Sequence, residues 1–247
     1  MKSTRRLRGL LISGLVGSNL LALGLSGYSL YLSRQQFELR AQVLSQNVAS
    51  ALDQNLSSSI EKIDLALRTV ADELERQLAA QGINEPAMNA FMHRQEERLP
   101  EVEAFRVANA SGLVILGKGL NKSEHATWAD RDYFLYHQSH TERTLQYRKP
   151  RVGRVAKRSI VNFSVRYNDP SGQFAGVISA PIAVDHFSQL LAQFDAGPHG
   201  TLVLRDADLG LVARFPAAPN QPYGQIGYNQ VSQELRRLVE SGATSTT

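Results

Sequence analysis

The chain has 247 residues, 27 Lys and Arg against 23 Asp and Glu, a formal net charge of +4, and no cysteine. Without cysteine there are no disulfides, no thiolate metal sites and no cysteine nucleophile. Lys2, Arg5, Arg6 and Arg8 stand ahead of the first apolar run and account for the whole excess of base over acid, so the high pI marks the N-terminus rather than a nucleic-acid surface.

Residues 10–32 contain no charge, and a helix of about 20 such residues matches a bilayer core. A cleaved signal peptide is the alternative for this stretch. Four bases precede the span, while Arg34 and Arg40, offset by Glu38, follow it. This asymmetry places a basic tail, residues 1–9, in the cytoplasm and everything after Ser33 outside it.

Residues 33–82 read as one long helix. Phe37, Leu44, Val48, Leu52, Leu56, Ile60, Ile63, Leu67, Val70, Leu74 and Leu78 follow steps of three and four, which only a helix brings to one face. Its length, roughly 70 Å at 1.5 Å per residue, exceeds a small domain. Part of the stripe therefore faces a partner, and a parallel homodimer around Leu44, Val48 and Leu52 is the expectation. Gly82 suits a C-terminal cap.

Residues 83–196 form the next region. Asn84 caps a helix over 85–98, and short strands at 102–108 and 113–117 flank the hairpin turn Asn109-Ala110-Ser111-Gly112. A helix is expected over 130–140, with Asp130 as a possible cap. Strands at 159–167 and 174–184 flank Asn168-Asp169-Pro170-Ser171-Gly172, and Asp185 is placed as the cap of a helix reaching 194. Gly197-Pro198 marks a boundary to a smaller region, 197–247, with two strands around Asp206 to Gly210, a helix at 230–240 and a frayed tail at 242–247.

The order of elements and three segments, LPEVEAFRVANASG, ADRDYF and GQFAGVISAPIAVDHFSQLL, resemble the double Cache (PAS-like) sensor region of bacterial membrane receptors. Sensors of diguanylate cyclases are the nearest likeness, ahead of those of histidine kinases and chemoreceptors. The resemblance spans roughly residues 33–215. It implies an α+β fold: an N-terminal transmembrane helix, a long signalling helix, a PAS-like antiparallel sheet lobe with helices, and a second, incomplete smaller lobe. It also implies a pocket in the first lobe, with Arg131, Tyr133, Phe134, Tyr147, Arg148 and Arg151 as candidate ligand-binding residues. In amino-acid-sensing relatives an acidic residue holds the ligand's ammonium group, whereas the matching stretch here is Ser179-Ala180-Pro181. No cyclase, kinase or methyl-accepting segment is recognisable, so an effector is expected elsewhere.

The same residues admit plainer roles. Tyr133 and Phe134 suit packing on a sheet, and the bases between Arg143 and Arg158, uninterrupted by any acid, suit a solvated loop as well as a small-anion site. His125, His137 and His140 lie near Asp130 and Asp132, but without paired-ligand spacing, so no metal site is assigned. Asp206 and Asp208 read as turn chemistry. No catalytic residues and no cofactor are expected: neither a nucleophile elbow nor a phosphate-binding glycine loop is present. A small-molecule sensor is the leading reading. A dimerising membrane protein without ligand is the second, and an extracytoplasmic enzyme the third.

Overall fold

The computed structural model describes residues 2–242, with the side chains of residues 2–13, 16 and 122 outside that description. The expected basic tail, the first part of the expected span and the tail beyond Gly242 fall on these excluded residues. The chain divides into two compact units, Met1–Ser50 and Ala51–Thr246. The first is helical throughout its described length, belonging to α1 (Lys2–Ala80). Leu15, Leu20, Leu21, Leu23, Leu25 and Leu30 on it are 61–72 % exposed. Among the described residues no helix is long and apolar enough to cross a membrane.

In the second unit α1 ends where the sequence says it should. Gly82, at φ +91°, donates its backbone N–H to Gln77 O at 3.0 Å, the left-handed helix stop that glycine adopts without strain. Gln77 then accepts from Asn84 N at 2.9 Å, and Asn84 Oδ1 accepts from Ala87 N at 3.0 Å, so one side chain ties the end of α1 to the start of α2 (Glu85–Glu96).

Among the described residues eight strands follow: β1 (Arg106–Asn109), β2 (Val114–Gly117), β3 (Gln146–Tyr147), β4 (Arg151–Val152), β5 (Ser159–Asn168), β6 (Phe174–Ala183), β7 (Leu202–Arg205) and β8 (Leu211–Phe215). The first six form an antiparallel sheet in the order β2-β1-β6-β5-β3, with β4 also on β5, and the last two pair alone. Helix α3 (Asp132–Ser139) precedes β3, α4 (Val184–Leu191) follows β6 directly, and α5 (Gln233–Glu240) comes last, with Ser232 Oγ accepting from Leu235 N at 3.2 Å.

Alternation along the long strands gives the sheet two unlike faces. Val107, Val161, Phe163, Val165, Tyr167, Ile178, Ala180 and Ile182 join Ile63, Leu67, Val70 and Leu74 of α1 and Met88 and Met92 of α2 in one apolar cluster. The intervening residues Arg106, Asn162, Ser164, Arg166 and Ser179 are polar, yet also buried. Gly176 lets β6 approach β1: a Cβ there would stand 2.0 Å from Ala108 O.

The structure departs from the sequence reading at the following points. Asp130 does not cap α3; Arg131 occupies the cap position without a side-chain bond, and Asp130 is drawn to Arg154 instead. Asp185 lies inside the first turn of α4, with Ala183 at the cap. Leu52, Leu56 and Ile60 are partly buried against the main core, so the α1 stripe is covered from within the chain further toward its N-terminal end than a dimer seam through Leu52 supposes. The same cluster takes in Val212 and Ala213 of β8 beside Phe187 and Leu191 of α4, so the two-stranded sheet shares the main core across the expected boundary at Gly197-Pro198.

Candidate functional site

The polar face of the sheet is covered by α3 and by the strap of chain around β4. Within the strap, Gly153 N donates to Arg158 O and Lys157 N to Gly153 O, both at 2.9 Å, which closes a tight turn between β4 and β5. Between strap and sheet lies a cavity of about 30 Å³, close to the space that one or two waters occupy. Its lining includes Arg106, Asn162 and Ser179 from the sheet, Trp128, Arg131 and Tyr133 from the approach to α3, and Arg151 to Ala156 from the strap, with no Asp or Glu among them.

Carboxylates outside the cavity hold its rim. Arg154 forks onto both oxygens of Asp130 at 2.6 Å and also donates to Thr127 O, and this guanidinium holds the Asp130 carboxyl at about 2, below its usual range. Arg151 Nη2 donates to Asp132 Oδ2 at 2.9 Å, and Arg131 Nη2 to Val152 O at 3.4 Å. Tyr133 is buried edge-on to Trp128, with ring centroids 6.0 Å apart, and burial raises its phenol pKa well above normal. Arg106 is 7 % exposed and donates Nε to Lys118 O at 3.3 Å; burial lowers its pKa, opposed by Glu103 and Glu96.

Of the six residues singled out in the sequence, Arg131, Tyr133 and Arg151 line this cavity and the other three do not. Phe134 is buried against Phe174 in a second apolar cluster, Tyr147 is exposed and tilted over Phe163, and Arg148 lies over the Tyr136 ring at 5.6 Å. The basic run divides in the same way. Arg151 and Arg154 reach the cavity, while Arg143 bridges Asp72 and Glu75 of α1, Lys149 pairs with Asp208, Lys157 with Glu124 and Arg158 with Glu103. Arg106 and Asn162 are not among the site candidates read from the sequence, and Ser179 is there only as part of the stretch matching the acidic residue of amino-acid sensors. Their signal was present in the polar positions alternating with valine and phenylalanine, which sequence reading assigns to solvent.

His137 is the other buried polar group under α3. Its Nε2 lies 3.1 Å from Ser164 Oγ and its Nδ1 has no partner. Among the described residues no three His, Asp or Glu side chains gather as metal ligands would.

No family model matches the sequence, and no curated protein matches it. Solved structures do share the fold. The extracellular domain of the proposed histidine kinase rpHK1S-Z16 aligns with a TM-score of 0.66 at 22% identity, over 77% of this chain and 75% of that one. The sensor domain of the Vibrio cholerae histidine kinase DctB gives 0.55 at 12% identity over 80% and 74%, and the ligand-binding domain of the Pseudomonas aeruginosa amino-acid chemoreceptor PctC, solved with GABA, gives 0.54 at 12% over 71% and 76%. This chain therefore shares its fold with these sensor and ligand-binding domains.

Burial lowers the His137 pKa from 6.5 to about 4, with Ser164 opposing and the charges of Arg166, Arg148 and His140 adding to the depression. A depressed folded-state pKa means that the unfolded chain takes up the proton first. The stabilisation is whole above about pH 6.5 and is lost as pH falls through about 4, amounting to about 3 kcal/mol. Urea midpoints at pH 7 and 4.5 should therefore converge in His137→Gln relative to the parent chain. An equal acid loss in both chains contradicts this assignment.

Proposed function

We propose that the chain is a membrane-anchored, extracytoplasmic ligand-sensing domain of bacterial signal transduction, and that the cavity above the sheet is its ligand site. The observation that carries the reading is the cavity itself: four arginines and no acidic residue line it, in a fold whose solved examples are sensor domains. Arg131, Tyr133 and Arg151 serve as ligand contacts. Phe134, Tyr147 and Arg148 serve by fixing α3 and the strap.

Chemically the site selects rather than reacts. Its arginines are hydrogen-bond donors without a proton to give at neutral pH, and no nucleophile stands beside a base within it. The resemblance to sensors of diguanylate cyclases and histidine kinases supports a cytoplasmic effector as recipient of the signal. A thermal-shift screen of small metabolites on the full chain tests the sensing role. A ligand at 100 times its Kd stabilises by about 2.7 kcal/mol, which raises the melting temperature by roughly 5–10 °C in a fold of this size. A broad library in which nothing shifts the transition removes this function.

Anchoring at the inner membrane, N-terminus inside, is supported by the exposed leucines of residues 15–30 and the four bases ahead of them. Water is a poor solvent for such a surface. Alkaline phosphatase fused after Ala80 should be active, and a silent fusion paired with an active cytoplasmic reporter at the same point reverses the orientation.

A parallel homodimer is supported by Phe37 and Leu44, both exposed on the apolar stripe of α1. Burial of each leucine contributes about 1.5–3 kcal/mol. Cysteines introduced singly at Leu44 and Val48 should crosslink two chains faster than one at Asp53, and equal rates at all three positions argue against the seam.

A further inference from the structure

Arg106 on β1, Asn162 on β5 and Ser179 on β6 meet at one point of the sheet's polar face. Arg106 and Ser179 are register partners, and Asn162 pairs with Pro181, two residues along β6. The three are 7 %, 4 % and 2 % exposed and all line the cavity. Their hydrogen-bonding capacity is only partly used. The Ser179 hydroxyl donates to Asn162 Oδ1, which occupies the carbonyl side of the amide and leaves Nδ2 with no partner. Arg106 uses Nε on Lys118 O, and among the described residues no other hydrogen bond or ion pair engages its guanidinium.

The Asn162 amide is thus a buried donor without an acceptor, which is rare in folded proteins and asks for a group to satisfy it. We propose that this cluster is the anchor for the carboxylate of a small monocarboxylate carrying no ammonium group, an assignment that rests on reading the cavity as a sensor's ligand site. The guanidinium fork of Arg106 matches two carboxylate oxygens, and the Asn162 NH₂ supplies a further donor from the neighbouring strand. An ammonium group would meet the opposite conditions. No carboxylate lines the cavity, and Arg106, Arg131, Arg151 and Arg154 all repel it. Trp128, Val155, Ile160 and Pro181 also line the cavity, apolar surface suited to a methyl or ethyl tail and ill suited to the remaining oxygens of a sulfate or phosphate. The volume of about 30 Å³ favours the smallest members of this class.

Calorimetry on the full chain in detergent decides the matter, with acetate, propionate and pyruvate titrated against glycine, L-alanine and sulfate. At least one of the three monocarboxylates should bind, and propionate should bind at least tenfold more tightly than L-alanine, which differs by the ammonium group alone. Asn162→Asp keeps the shape of the amide and replaces its donor with a charge; Arg106→Lys keeps the charge and removes the fork. Each should weaken the bound monocarboxylate tenfold or more, with ligand-free melting curves reporting that the variants are folded. Should both variants fail to fold, the comparison of propionate with L-alanine on the parent chain still decides. Equal affinity for these two, tighter binding of sulfate, or full affinity in both folded variants overturns the anchor. A chain that binds other library compounds but no monocarboxylate also overturns it and leaves the sensing role standing; a chain that binds nothing overturns both.

Discussion

Burial of the large sheet on both faces is the constraint from which the rest of this molecule follows. On one side, alternate residues of β1, β5 and β6 close against α1 and α2, and the apolar cluster there contains fully buried Ile63, Leu67, Val70 and Leu74. On the other side the same strands present Arg106, Asn162, Ser164, Arg166 and Ser179, which α3 and the strap then cover. A two-layer antiparallel sheet usually leaves its polar face in water. Here those polar groups lose water and must find partners: Arg166 in the carbonyls of His137 and His140, Ser164 beside His137, and Ser179 on Asn162. The cavity is the part of that face where pairing within the protein is incomplete.

The register of the strands decides which residues meet there, because a slip by one residue would exchange the two faces. One device fixes three hairpins. Asn109 Oδ1 accepts from the N–H groups of Ser111 and Leu113, Asp169 Oδ1 from those of Ser171 and Gln173, and Asp206 Oδ1 from those of Asp208 and Gly210. Each turn residue thus closes its loop with its own side chain, independent of the core. The turn at Asp169 sets β5 against β6 so that Ser164 faces Ser179 and Asn162 faces Pro181. Local chemistry at the far end of the hairpin therefore places the polar cluster about five residue pairs away.

These turns were legible in the sequence, as were the helix stop at Gly82, the cap at Asn84 and the long strands, because each depends on residues close in the chain. Arg131, Tyr133 and Arg151 were legible as site candidates through their aromatic and basic character. The core of the site was not. Asn162 and Ser179 look like the outward half of ordinary alternation, and only the covering of that face by α3 and the strap, which depends on long-range packing, turns them into buried donors. The strands β3 and β4 escaped for a related reason: at two residues each they carry no periodicity and exist only by pairing with β5. The start of α3 was misplaced because Asp130 has a competing partner in Arg154, and a bidentate arginine outweighs a cap.

The path from the cavity to the smaller sheet is set by the same strand. β6 carries Ser179 and Pro181 at the cavity wall and passes without a loop from Ala183 into Val184 of α4. Phe187 and Leu191 of α4 then share the core with Val212 and Ala213 of β8. A second connection lies at the surface, where Lys149 near the start of the strap pairs with Asp208 in the turn between β7 and β8. The two differ in kind. Both members of the surface pair are 62 % exposed along their side chains, so salt screens the attraction and its contribution is of the order of a surface ion pair, about 0–1 kcal/mol. The packed route has no such weakness, since close-packed side chains cannot separate without opening a gap that forfeits their contacts. The packed route through α4 is therefore the stiffer of the two connections between β6 and β8.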